Sequence, residues 1–229
     1  MLPGAALLHA ESIGESRLPP VAAVVTAAAL YATMPSRFLA GSGGVITASR
    51  IVVPALSLAL LWPLALTIPR ATRLERSVPR RTAALALIAL ISVAIAVSIV
   101  LLVHILVNGQ KVNGHDLLRA AIHMWCTSVL VFALWFWQLD SGGPTARVQR
   151  SGAPPDFLFT QQASPELAPE GWQPRFLDYL YLSFTNSTAF SPTDTMPLTR
   201  WAKMLMLVEA AASLLLLLTV AARAVNVLQ

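Results

Sequence analysis

Apolar residues fall in five long runs separated by short polar joints. The runs extend from Leu18 to about Met34, Ile51 to Ile68, Thr82 to Val107, Leu118 to Leu139 and Trp201 to Val227. At roughly 1.5 Å of rise per residue, runs of this length match the hydrocarbon core of a bilayer. The pattern predicts an all-α membrane protein with about five transmembrane helices. The first run is the shortest, entered through Pro19-Pro20 and left through Pro35. The second contains Pro54 and Pro63, and the third is the most uniformly apolar. The fourth closes on Phe132, Trp135, Phe136 and Trp137, rings that suit a membrane–water interface.

One long polar stretch, Asp140 to Gln173, separates the fourth run from the fifth. It holds Gly142-Gly143-Pro144, Pro154-Pro155, Pro165, Pro169 and the acids Asp156, Glu166 and Glu170, and it reads as an ordered loop. After Pro174 comes Arg175 to Thr188, apolar and aromatic but too short to span. Such a segment beside a full span is expected to be re-entrant. The chain therefore divides into an N-terminal tail (1–17), a four-helix region (18–139), a polar loop (140–174) and a re-entrant helix followed by an inner helix (175–229).

Composition supports the membrane reading. Of 229 residues, 56% are hydrophobic and 12% charged, where a soluble domain carries about a quarter charged. The net charge of +5 comes mostly from arginines at the ends of apolar runs, where they meet headgroups. No basic stripe interleaves with aromatics, so nucleic acid is not an expected partner. Met1 to Arg17 lacks a basic region ahead of its apolar start and reads as a tail, not a cleaved signal. The single cysteine, Cys126, lies inside an apolar run and reads as a small core residue. His104, His115 and His123 have no metal-ligand spacing, and no cofactor motif is present. Asp140 reads as the cap of a turn at Gly142-Gly143. Asn186-Ser187-Thr188 matches a glycosylation acceptor only by formula. No nucleophile–base pair or phosphate-cradling loop points to an enzyme.

The stretch Asp178 to Val225 carries the most specific wording. Tyr181-Leu182-Ser183-Phe184, Thr188, Asp194-Thr195-Met196-Pro197-Leu198-Thr199, Leu207-Val208-Glu209-Ala210 and Ala221-Ala222-Arg223 fall in order. They resemble the pore helix, filter and inner helix of two-helix potassium channels. The whole chain is also similar to a family of uncharacterised bacterial integral membrane proteins. That likeness is carried by Phe132-Ala133-Leu134-Trp135, Leu139-Asp140, Gly142-Gly143-Pro144, Asp156-Phe157-Leu158-Phe159 and the run from Asp178 to Asp194. The resemblance implies a bacterial inner-membrane protein that assembles as a homo-oligomer, most simply a tetramer, and passes monovalent cations.

The filter departs from the potassium pattern. Thr188, Ala189, Phe190, Ser191, Pro192, Thr193 and Asp194 stand where it would be, and no glycine follows Gly171. A carbonyl cage needs backbone conformations that glycine allows, and Pro192 fixes φ and removes an N–H. Selection would then rest on the hydroxyls of Thr188, Ser191 and Thr193 or the carboxylate of Asp194. On the inner helix, Glu209, Ser213 and Arg223 share one face at 100° per residue. Ser213 stands where the resembled channels carry a hinge glycine. That face could line a pore; alternatively Glu209 supports it, bonded to Tyr179, Tyr181 or Asn186 of the pore helix.

Two functions stay open: a non-potassium-selective tetrameric cation channel, or a non-conducting scaffold or ligand- or partner-binding protein that keeps the architecture. Orientation is contested as well. Arg70, Arg73, Arg76, Arg80 and Arg81 against Glu75 place that joint in the cytoplasm, and spans three and four put the polar loop on the same side. The resemblance implies a pore loop that enters from outside. The arginine-rich joint is the harder to translocate, and the cytoplasmic placement is preferred.

Overall fold

A computed structural model describes residues 16, 18–39, 44–65, 78–109, 112–148, 154–189 and 194–227. Its long helices are α1 (Leu18–Ala32), α2 (Gly44–Ala65), α3 (Val78–Val107) and α4 (Gly114–Leu139). The polar loop follows, with short helices α5 (Pro144–Val148) and α6 (Thr160–Ala163) around strand β1 (Phe157–Leu158). The chain continues through α7 (Phe176–Ala189), β2 (Met196–Pro197) and α8 (Arg200–Val227).

Among the described residues, three stretches are long and apolar enough to cross a bilayer: Arg81–Val107, Gly114–Gly142 and Arg200–Ala221. The chain is an integral membrane protein. Helix α1 has 15 residues, about 22 Å, against a core of about 30 Å. It ends where the chain turns through Thr33 and Met34 into Pro35. Helix α2, with 22 residues, is about 33 Å long, and its stretch Ser49–Ala59 is apolar.

Helix α4 is the hub and packs on α1, α3, α7 and α8. In its membrane-length window 56% is buried, against 22% for α8, which sits at the periphery. Asn113 starts α4, its side chain accepting from the His115 N–H at 3.0 Å.

The apolar core has two ends that set the direction of every helix. At one end Ala23, Val24 and Ala27 of α1, Leu87, Ile88 and Ile91 of α3, and Val131 and Leu134 of α4 enclose Phe176. At the other, Tyr31 and Met34 meet Ile99 and Leu102 of α3, Leu117 and Met124 of α4, and Leu216 of α8. So α1, α3 and α8 run from the first end to the second, and α4 runs back. We call the first the loop edge, because α4 ends and α7 and α8 begin there. Arg81, exposed at the start of α3, lies at the same edge, while Arg70, Arg73 and Arg76 lie outside the described residues.

Helix α8 buries one narrow stripe: Ala202, Met206, Glu209, Ser213 and Leu216, spaced four and three residues alternately. This is the seam spacing of a helix that packs along a single line. Val208, Leu215 and Leu218 on its other faces are exposed.

The polar loop is locked to the bundle by a turn the sequence demands. After Leu139 the backbone passes through Ser141 at φ 53° and Gly143 at φ 103°. A Cβ on Gly143 would sit 3.0 Å from the Gln138 carbonyl oxygen, so only glycine fits there. The turn brings Arg147 back over the end of α4, where its Nη1 donates to the carbonyls of Trp137 and Asp140, both at 2.8 Å. The last carbonyls of a helix lack intrahelical donors, and these two gain one from Arg147; that of Asp140 also accepts from the Gly143 N–H at 2.8 Å. Strands β1 and β2 then pair antiparallel, Phe157 opposite Pro197, and fasten the loop to the entry of α8.

Candidate functional site

The polar groups that tie α4, α7 and α8 together form two clusters, one at the loop edge and one deeper along the bundle. At the loop edge Asp140, 1% exposed, is the centre. Its Oδ1 accepts from the Asp156 N–H at 2.8 Å and from the Ser141 hydroxyl at 3.2 Å, and its Oδ2 accepts from the Tyr179 hydroxyl. Asp156 extends the cluster: its carboxylate accepts from Trp201 Nε1 at 2.8 Å and from the Ser141 N–H at 3.1 Å, and its carbonyl accepts from the Leu198 N–H at 2.8 Å. Arg147 supplies the positive charge, 4.0 Å from Asp140 and 5.0 Å from the centre of the Tyr179 ring. Phe157 fills the middle, edge-on to Phe136, Tyr179 and Trp201 at 5.1, 6.4 and 5.9 Å between ring centres. Asp140 is thus far more than a turn cap. The sequence signal was its place between an aromatic helix end and Gly142-Gly143.

The deeper cluster centres on Glu209, fully buried within one chain. Asn186 uses both amide hydrogens, donating to Glu209 Oε2 at 2.7 Å and to the Met206 carbonyl at 2.9 Å. The Ser183 hydroxyl bonds the other carboxyl oxygen and lies 2.8 Å from the Val129 carbonyl oxygen of α4. The one Ser183 hydrogen is shared between the Glu209 carboxyl oxygen and the Val129 carbonyl oxygen. Of the three partners expected for Glu209, the structure brings Asn186 to it. Tyr179 turns to Asp140, and Tyr181 is 53% exposed. Ser183 is the partner sequence reasoning missed; its position four residues after Tyr179 on the buried face of α7 was the available signal.

Ser213 lies one turn beyond Glu209 on the buried stripe, 2% exposed, and its hydroxyl has no hydrogen-bond partner among the described residues. The Thr127 hydroxyl of α4 is buried in the same way. Arg223 lies in the last turns of α8, where only the backbone is described. Thr188 and Ala189 form the exposed end of α7, and the Thr188 hydroxyl is spent on its own helix, donating to the Phe184 carbonyl at 2.8 Å. Phe190, Ser191, Pro192 and Thr193 lie outside the described residues. Asp194 is exposed just before β2. Among the described residues no group of three or more His, Cys, Asp or Glu side chains is placed to hold a metal ion.

Compared with family models, curated proteins and solved structures, the chain matches none. The likeness to potassium-channel pores and to the bacterial membrane family rests on the motifs quoted above.

Proposed function

We propose that the chain is one subunit of a homo-oligomeric, channel-like protein of the bacterial inner membrane, fourfold in the simplest assembly, with α7 as its pore helix. The observation that carries this reading is the path of the chain around α7. Helix α7 starts beside Trp137 at the loop edge and reaches Trp125, against which Phe184 packs at 5.6 Å between ring centres. Fourteen residues cover about 21 Å, too little for a crossing. By Met196 the chain is back at the loop edge, paired with β1. This supports a re-entrant course; counting α2, about 33 Å long, and the shorter α1 as crossings, the reading has five.

The end of α7 that this course leaves within the membrane is its C-terminus, the negative pole of the helix dipole, which favours a cation. Leu177, Tyr181, Phe184 and Thr188 are exposed along α7 in a single chain, a surface that neighbouring subunits would cover. Glu209 is spent inside the chain on Ser183 and Asn186 and acts as a support for the pore helix. The reading assigns no catalytic chemistry and no cofactor.

A second reading, a non-conducting scaffold or a ligand- or partner-binding protein, is favoured by two observations: the Thr188 hydroxyl is engaged by its own helix, and no glycine follows Gly171. Two experiments decide. In a Cys126→Ala background, single cysteines at Glu166 and Asp194 should label from one side of the membrane and a cysteine at Asn108 from the other. Labelling of Asp194 from the Asn108 side would end the re-entrant reading. In liposomes, cation flux with little preference between potassium and sodium is expected. No flux from correctly assembled protein selects the scaffold, and strong potassium preference contradicts the filter chemistry.

A further inference from the structure

The loop edge carries exposed charges of both signs that a single chain leaves unused. In the polar loop a tight turn, Pro165–Leu167, is followed by Pro169 and by Gly171 at φ 71°. The Trp172 ring then packs on Phe159 at 5.9 Å between ring centres, so the turn stands on a fixed base. Glu166 and Glu170 are exposed on it, and Leu167 between them is 85% exposed. On α8, Arg200, Lys203, Met204 and Leu207 are exposed as well. At 100° per residue these four lie on one face, opposite the buried stripe of Ala202, Met206 and Glu209.

Both patches lie at the same end of the bundle, because the pairing of β1 with β2 fastens the loop to the entry of α8. They do not meet within one chain. Among the described residues neither Glu166 nor Glu170 forms an ion pair, and neither does Arg200 or Lys203. Asp194, which precedes the two cations, pairs with neither. Headgroup phosphates could satisfy the cations but would repel the acids. A second copy of the chain answers both: two acids around a leucine face two cations beside an apolar stripe, and the charges balance. Such a contact is head-to-tail, each copy giving its loop to one neighbour and taking the loop of another, and it can close into a ring.

We propose that the turn carrying Glu166, Leu167 and Glu170 in one copy docks on the Arg200–Lys203 face of the next. The inference rests on the homo-oligomer reading and names the contact that orders the copies. Exposed ion pairs are weak one at a time, so this contact sets register and partner choice, while the apolar faces of α7 and α8 bury most of the area. Reversing one side is a different matter, since it sets like charges against each other across the contact.

The test is charge reversal and rescue in the full chain, read by native mass spectrometry from lipid nanodiscs. Glu166→Lys/Glu170→Lys and Arg200→Glu/Lys203→Glu should each lower the assembled fraction about tenfold or more. The quadruple variant, with both sides reversed, should assemble like the wild type. Loss in both double variants with recovery in the quadruple variant establishes the contact. Assembly that neither reversal changes overturns it and leaves the homo-oligomer standing. Loss without recovery, or loss in the α8 variant alone, assigns the cations to headgroups and overturns it too. Loss in the loop variant alone also overturns it, because the cations then take no part. A monomeric wild type removes this contact together with the oligomer reading. Should the α8 variants fail to insert, the loop variant decides by itself. Assembly lost with helix content unchanged supports the contact, and assembly kept overturns it.

Discussion

Asp140 and Glu209 tie the same three helices together by different means. Asp140 joins the end of α4 to α7 through Tyr179 and, by way of Asp156, to α8 through Trp201. Glu209 joins α8 to α7 through Ser183 and Asn186 and, by way of Ser183, to α4 at Val129. At the loop edge the acid has a backbone N–H, two hydroxyls and a guanidinium. At depth only neutral side chains bond Glu209 among the described residues. Acids near a boundary can be held as charges, whereas an acid inside the hydrocarbon must be satisfied by dipoles or carry its proton. The two clusters should therefore answer the same substitutions differently.

The largest effect belongs to the loop edge. Asp140→Ala removes the carboxylate that accepts from the Tyr179 hydroxyl and the buried Asp156 N–H, and the counter-charge of Arg147. At about 1–3 kcal/mol for each orphaned group, the loss exceeds roughly 3 kcal/mol. Thermal unfolding in detergent should show it as a collapse of the folded fraction; a shift of only a degree or two would break the account of this cluster.

Next comes the pair that sharpens the contrast. Glu209→Leu strands one Asn186 amide hydrogen and leaves Ser183 only the Val129 carbonyl, and should cost about 2 kcal/mol, while Glu209→Gln, whose amide can donate to Ser183 and accept from Asn186, should cost less than about 1 kcal/mol. Asp140→Asn should be worse tolerated than Glu209→Gln, because its NH₂ replaces an oxygen that receives a donor. Equal melting temperatures for Glu209→Gln and Glu209→Leu would show that Glu209 meets water instead of its two partners.

Smaller effects follow at the edges of the first cluster. Gly143→Ala forces a Cβ against the Gln138 carbonyl at positive φ, for an expected loss of about 1–2 kcal/mol. Trp201→Phe keeps the ring against Phe157 and removes only the N–H to Asp156, for about 1 kcal/mol. If Trp201→Phe proved the costlier of the two, the indole hydrogen bond and not the turn would be the main fastening of the loop.

What could be read from the sequence follows from the range of each interaction. Hydropathy over twenty residues is a local property, so α3, α4 and α8 are legible at once. Helix α1 is legible as an apolar run but not as a full crossing, because it ends before Pro35 after 15 residues. The Glu209–Asn186 bond was within reach once α7 and α8 were read as neighbours, since acids in a bundle seek such donors. The Asp140 hub was not, because its partners lie 16 and 39 positions away and are chosen by how the polar loop folds back. Arg37, Arg50 and Arg119, which line one cavity beyond the end of α1, have no shared local signature: each looks like an ordinary headgroup anchor.

The central claim is that the exposed faces of α7 and α8 are covered by further copies of this chain. Native mass spectrometry of the protein released from lipid nanodiscs measures this directly. The account predicts one dominant species at about four times the 24.5 kDa chain mass. A particle containing a single chain in every lipid composition would contradict it.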